Sequence, residues 1–194
     1  MNDDVALFPL GTVLFPGGLL PLRIFEARYM DMAKACLRDG APFGVCLIRS
    51  GREVGAPAEP EAIGCLARIV EWDMQQLGLL LVTASGGERF RILERRVEPD
   101  GLARVRIERL PEDEDDAVPE SFVACARLLE RVVAERGEKV FAMPHRFDSA
   151  SWVGCRLAEI LPVPLAAKQK LMELDDALLR LEILHKFLVQ HRLA

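Results

Sequence analysis

The sequence lacks the short motifs on which most phosphate and metal sites depend. None of its 14 glycines is followed by lysine, so a Walker-type phosphate loop is absent. There is no C-x-x-C and no H-E-x-x-H sequence, and the spacing of His185 and His191 puts them on different faces of a helix. The third histidine, His145, is far from both in the sequence. We therefore expect neither a metal site nor a cofactor.

Signs of catalysis are also lacking. None of the serines lies in a G-x-S-x-G elbow, and the acidic run Glu112–Asp116 is typical of a solvated surface. A nucleophile needs a base and an orienting group close to it, and no pattern in the sequence points to such a set. We expect a protein that is not an enzyme.

Basic residues are in the minority. The chain has 25 lysines and arginines against 30 aspartates and glutamates, which gives a formal net charge of −5. A dedicated nucleic-acid binder usually carries a basic excess, because neutralising phosphates supplies much of its affinity. Nucleic acid is therefore not the expected principal partner.

The longest charge-free segment, from Val5 to Leu22, is interrupted by three prolines and three glycines. Its length suits a membrane helix, but these residues disfavour a continuous helix. A secretory signal begins with positive charge, whereas this chain begins with Asp3 and Asp4. The five scattered cysteines indicate buried side chains in a reducing compartment. We expect a cytoplasmic protein without a membrane segment.

Strand patterns fill the first half of the chain. Short apolar or alternating runs, separated by glycine, proline or charged turns, predict strands at Val5–Leu10, Thr12–Phe15, Leu19–Phe25, Gly44–Arg49, Ile63–Glu71, Leu77–Ser85, Arg89–Val97 and Leu102–Leu110. Asp100-Gly101 favours a hairpin turn between the last two. One helix interrupts the set and ends at Gly40, with Phe25, Tyr29, Met32, Ala33 and Cys36 on its predicted buried face.

The pattern changes to helical after residue 110. An acidic stretch at 111–118 predicts a hinge between a β-rich subdomain at 1–110 and a helical subdomain at 119–194. Helices are predicted from about Phe122 to Gly137, and at Ser151–Leu161, Leu165–Leu174 and Asp175–His191, with Asp175 as the N-cap of the last. The fold class expected from this order is α+β.

Four stretches resemble a known family. LFPLGTVLFPGGLLPLRIFEARY, which begins at Leu7, resembles the start of the N-terminal, substrate-binding domain of the Lon ATP-dependent proteases, and cereblon has a similar domain. GCLARI at Gly64–Ile69 and GERFRI at Gly87–Ile92 resemble two strands of that family. The segment Arg156–Leu184 resembles its helical part, with matching residues at Lys168, Gln169, Leu171, Glu173, Arg180 and Leu181.

The resemblance implies a PUA-like β pseudo-barrel with one inserted helix, followed by a C-terminal helical bundle. The resemblance covers the recognition part of Lon, and no stretch of the sequence resembles its ATPase and Ser-Lys peptidase modules, so neither activity is expected. In the family this part is associated with engaging unfolded or damaged polypeptides. The implied partners are such polypeptides, with a separate protease or ATPase as a further candidate.

The predicted polypeptide-binding residues flank the Pro-Gly-Gly turn of the opening run. They are Phe15, Pro16, Leu19 and Leu20, which form an apolar patch if they are exposed and a piece of core if they are not. An extended client could also pair with an open sheet edge.

Two alternatives remain open. By analogy with other PUA-like domains, an RNA-binding module would use a basic patch on the last predicted hairpin, made of Arg89, Arg91, Arg104 and Arg106. An adaptor would dock on a protease or other partner through the helical half, where Asp175–His191 is apolar over much of its circumference. The sequence leaves the oligomeric state open.

Overall fold

The computed structural model of the chain describes residues 4–114 and 116–192. It divides into two compact units, with the boundary between Leu110 and Pro111. No described helix is both long and apolar enough to cross a membrane. The five cysteines are all buried, and none forms a disulfide.

The first unit is a closed barrel with one helix. Its elements are β1 (Asp4–Leu10), β2 (Leu19–Ile24), α1 (Ala27–Asp39), β3 (Phe43–Ser50), β4 (Glu59–Pro60), β5 (Ile63–Gln76), β6 (Leu79–Val97) and β7 (Ala103–Arg109). Strands β1, β7, β6, β5 and β3 follow one another as neighbours, and β3 returns to β1 as a parallel partner. The five strands therefore close on themselves, and the short β4 extends β3. The predicted pseudo-barrel with an inserted helix is confirmed.

Strand β1 explains the charge-free opening of the sequence. Val5 and Leu7 belong to one buried cluster with Phe90 and Val105, whereas Phe8 belongs to a second cluster that includes residues of α1. Because side chains alternate between the two faces of a strand, β1 is buried on both faces. A strand buried on both faces reads as a continuous apolar run.

Two glycines let the barrel close around one aromatic ring. A Cβ atom at Gly44 would lie 2.8 Å from the Phe90 ring. A Cβ atom at Gly64 would lie 2.9 Å from the same ring and only 2.3 Å from the Val45 carbonyl oxygen. Strands β3 and β5 therefore carry no side chain where the fully buried Phe90 packs.

Gly64→Ala should destabilise the protein strongly, because the added methyl group meets backbone that cannot rotate away. We expect a loss of about 2–3 kcal/mol in the free energy of unfolding, measured by urea denaturation with circular dichroism. Gly87→Ala is the matched control, since its nearest contact would be the Leu66 carbonyl oxygen at an ordinary 3.5 Å. Equal stability of the two variants would contradict the proposed packing role of Gly64.

The predicted strands differ from the structure in two places. Thr12–Phe15 forms no strand, because this segment folds across β6 instead of pairing along a neighbour. Gly86 permits the crossing: the Phe15 carbonyl oxygen lies 2.2 Å from where its Cβ atom would be. The predicted strands Leu77–Ser85 and Arg89–Val97 are one continuous strand, β6, which runs through Gly86 and Gly87.

The inserted helix begins later than its apolar spacing suggests. Its N-cap is Glu26, and Gly40 ends it in the left-handed conformation with a φ of 63°. Tyr29, Met32, Ala33 and Cys36 are buried as predicted, but Phe25 is 56% exposed. Phe25 precedes the first turn and therefore does not share the buried face of the helix.

Asp4 joins β1 to both strands of the β6–β7 hairpin. Its carboxylate accepts hydrogen bonds from Arg96 at 2.7 and 2.9 Å and from Arg104 at 2.9 Å. The hydrogen bonds from Arg96 hold the pKa of Asp4 below its ordinary value of 3.8, against the opposing effect of burial, and Arg104 lowers it further. The ion pairs thus stabilise the folded state only while Asp4 is ionised.

Asp4→Asn should lower the free energy of unfolding by about 1 kcal/mol at pH 7. Since the pKa of Asp4 is lower in the folded protein, this contribution is present above pH 3.8 and is lost as the pH falls through the folded pKa. The gap between the variant and the unmodified protein should therefore close below pH 3.8 in urea denaturation. Asp31→Asn is the control, because Asp31 is 74% exposed with one long contact to Lys34. A gap that persists at low pH would contradict the role of Asp4.

The second unit is helical. It contains α2 (Val123–Arg136), α3 (Ala150–Ile160), α4 (Leu165–Glu173) and α5 (Ala177–Gln190). The caps lie close to the predicted positions but not on them: Ser149 caps α3, and Asp176 rather than Asp175 caps α5. The predicted helical bundle is confirmed.

A buried arginine connects the last two helices of this unit. Arg180 of α5 is 1% exposed, and its guanidinium donates to the carbonyl oxygens of Leu171 and Leu174 at the end of α4. It also pairs with the Asp113 carboxylate at 2.5 Å. These bonds compensate the burial of the charge and satisfy carbonyl groups that a helix end leaves free.

Candidate functional site

A cleft of about 370 Å³ runs beside β2 in the first unit. Strand β2 and the two residues after it form one side, from Leu20 to Glu26. The remaining lining comes from β1 and the segment after it, from α1, and from the loop at 51–57, through Phe8, Leu10, Thr12, Tyr29, Glu53 and Val54. The volume is in the range of about 300–1,000 Å³ that is usual for ligand clefts.

Stacked aromatic groups make one wall of the cleft rigid. The rings of Phe8 and Tyr29 are stacked with centroids 3.9 Å apart, and the Arg28 guanidinium lies 4.7 Å from the centre of the Tyr29 ring. Burial raises the pKa of the Tyr29 hydroxyl, against the smaller opposing effect of Arg28. Tyr29 is therefore neutral at physiological pH, and this wall presents an uncharged aromatic surface.

The loop at 51–57 is fixed in place by two hydrogen bonds. The buried Arg28 donates to the Gly55 carbonyl oxygen at 2.6 Å, and the Glu53 carboxylate accepts from the Gly11 backbone N–H at 2.5 Å. Arg28 also donates to Gly101 in the β6–β7 turn and pairs with Glu26. The loop thus forms a wall of the cleft although its own residues are exposed.

Exposed apolar side chains lie at this cleft. Phe25 and Val54 are 56% and 55% exposed, and both line it. Leu19, at the start of β2, is 37% exposed on the outer face of the sheet. Clustered exposed apolar groups next to a preformed cleft are a common feature of interaction surfaces, which makes this cleft the candidate site.

The residues predicted around the Pro-Gly-Gly turn have different environments. Phe15 has no exposed area, so its prediction as a polypeptide-contacting residue is wrong: its segment folds over Gly86 into the interior. Pro16 is half-buried. Leu19 is exposed, and Leu20 lines the cleft while packing partly against the main core cluster. Binding by these residues stays a prediction.

The site also contains residues that the sequence patterns did not indicate. The helical spacing between Phe25 and Tyr29 predicts that Phe25 belongs to the helix core. Val54 lies in a loop with no recognisable motif. Outside the cleft, at the tip of the β5–β6 hairpin, Trp72 and Leu77 are also exposed, by 60% and 94%. The alternation of Val70, Trp72 and Met74 with acidic residues was the available signal for an apolar stripe there.

The four arginines do not form the common basic patch of the RNA hypothesis. Arg89 is 3% exposed and thus not accessible to phosphates. Arg104 pairs with Asp4, and Arg106 pairs with Glu94 at 2.5 Å. Arg91 faces Glu108 across the hairpin at 3.9 Å. The charges that the hairpin does expose are largely offset by neighbouring carboxylates.

Metal ligands do not converge in the part of the chain that the structure describes. There, no group of three or more histidine, cysteine, aspartate or glutamate side chains is arranged to hold an ion.

The fold is that of a β barrel followed by a helical bundle, and comparison with known proteins gives its family. Residues 4–190 match the ATP-dependent protease La (LON) substrate-binding domain, and the chain belongs to this family.

Individual relatives agree with this assignment. A Lon N-terminal domain protein from Xanthomonas campestris has a similar structure, with a TM-score of 0.79 and 36% identity over 95% of this chain and 98% of that one. The N-terminal domain of a Mycobacterium avium complex Lon protease, at 18% identity and a TM-score of 0.63, shares the fold; it is matched over 97% of this chain and 100% of its own.

Curated relatives are much longer than this chain. The Lon protease of Anaeromyxobacter dehalogenans is 27% identical over 98% of the chain and 24% of its own length. Cereblon of Gallus gallus is 30% identical over 52% of the chain and 22% of its own length. The chain thus spans about a quarter of the length of these relatives.

Proposed function

We propose that this chain is a non-catalytic module that binds unfolded or damaged polypeptide segments in the cleft beside β2. The observation that carries the proposal is the combination of an apolar cleft with exposed Phe25 and Val54 on its margin. Membership of the Lon substrate-binding family supports the same class of ligand.

The chemistry of the cleft suits an unfolded chain better than a small polar ligand. Its aromatic wall is neutral, and apart from Arg23 and Glu53 its exposed side chains are apolar. The affinity would therefore come mainly from removing apolar area from water. An unfolded protein exposes such side chains, whereas a folded one buries most of them. Recognition of this kind depends on unfolding rather than on one defined sequence.

Phe25→Asp and Val54→Asp should each weaken client binding at least tenfold, because each puts a charge where an apolar contact forms. The client is reduced, carboxymethylated α-lactalbumin, which cannot refold, and the affinity is measured by fluorescence anisotropy. Val97→Asp is the matched control: Val97 is 48% exposed on β6 but does not line the cleft. No binding by the unmodified protein at high micromolar concentration would refute the proposal, and an equal loss in all three variants would refute the location.

A second candidate function is an adaptor that docks on a protease or other partner through the helical unit. It is favoured by a groove of about 570 Å³ between α4 and α5, lined mainly by apolar side chains, among them Leu171, Ile183, Leu184 and Phe187. Ile183 is 42% exposed although it belongs to an apolar helix. Helical grooves of this kind accept the apolar face of another helix.

Ile183→Asp should remove at least four-fifths of any such partner from affinity purifications out of the native cell, quantified by mass spectrometry. Val189→Asp should retain it, since Val189 is 56% exposed on the same helix and does not line the groove. Identical partner sets for both variants and the unmodified protein would argue against the adaptor function.

A further inference from the structure

Strand β2 has a free edge. It pairs with β6 over its whole length, from Leu19 opposite Ser85 to Ile24 opposite Leu80, without a register shift. No other described strand pairs with it. The opposite edge of β2 borders the cleft, so unpaired backbone groups and apolar side chains occur together.

The direction of these backbone groups follows from one hydrogen bond. The Gly86 N–H donates to the Gly18 carbonyl oxygen at 2.8 Å, so that carbonyl points towards β6. In a planar trans peptide the next N–H, that of Leu19, points the opposite way. Because backbone direction alternates along an antiparallel strand, Leu20, Leu22 and Ile24 bond to β6, whereas Leu19, Pro21 and Arg23 face outwards.

Pro21 fits this assignment. Proline has no N–H to donate, and it is tolerated in a sheet where that N–H would face away from the ladder. Leu19 and Arg23 each direct a donor and an acceptor outwards, and Pro21 directs an acceptor only. The edge is therefore competent for strand pairing but lacks its central donor.

We propose that the client binds as an added strand on β2, antiparallel or parallel, with its backbone bonded to Leu19, Pro21 and Arg23 and alternate apolar side chains in the cleft. This rests on the proposed function and specifies the ligand: a segment in extended conformation, free of secondary structure of its own. The unpaired groups of β2 require such a partner, because only an extended backbone presents donors and acceptors at the same repeat. A helical or folded segment has already used these groups.

Amide hydrogen exchange measured by NMR tests the proposal directly. With saturating carboxymethylated α-lactalbumin, exchange of the Leu19 and Arg23 amides should slow at least tenfold. The Leu22 amide, which already bonds to β6, is the internal control and should change little. If the client binds without protecting Leu19 and Arg23, strand addition is wrong and the proposed function stands. If the client does not bind, the proposed function itself fails.

A gain of affinity provides the second readout. Pro21→Val restores the missing outward donor, so client affinity should rise about three- to tenfold. Pro162→Val, at an exposed proline of the helical unit, should leave it unchanged. An unchanged affinity in Pro21→Val would count against strand addition. Protection of Leu19 and Arg23 that appears without client and grows with protein concentration would overturn the proposal in favour of a second copy at this edge.

Discussion

The contact between the Phe90 ring and the bare backbone of β3 and β5 is the constraint on which the first unit depends. Gly44 and Gly64 provide the room for the ring, and a Cβ atom at either would overlap it. The same approach brings β3 close enough to β1 for the parallel pairing that closes the barrel. Strand β6 pairs with β5 and β2 along its first half and with β7 along its second half, so it connects the closed barrel to β2. The cleft therefore rests on packing that lies deep inside the barrel.

Much of this fold is readable from local patterns. Four signals depend only on residues that are close in sequence, and the structure has the corresponding elements. They are the charge-free run, the Asp100-Gly101 turn, the Gly40 cap and the helical periodicity after residue 110. The closure of the barrel is different, because it depends on a pairing between β1 and β3 that no local pattern encodes. Only the resemblance to a known family indicated it.

The site was harder to predict for a related reason. Whether an apolar residue is core or surface depends on what covers it, and the covering segment is often distant in sequence. Phe15 is buried because its segment crosses β6 at Gly86, and Phe25 is exposed because it precedes the helix whose spacing it shares. Val54 contributes to the cleft only because Arg28 and Gly11 fix its loop. Periodicity carries none of this information.

Pro21 affects two properties of the β2 edge that oppose each other: binding of an extended chain and resistance to aggregation. An edge that accepts any extended chain would also accept the same edge of a neighbouring molecule, and the product would be an aggregate. Because Pro21 lacks an N–H, it weakens both client binding and the pairing of two β2 edges. The apolar cleft offsets this loss only for a partner that places apolar side chains in it. The residue thus converts a general tendency of sheet edges into selectivity for one kind of partner.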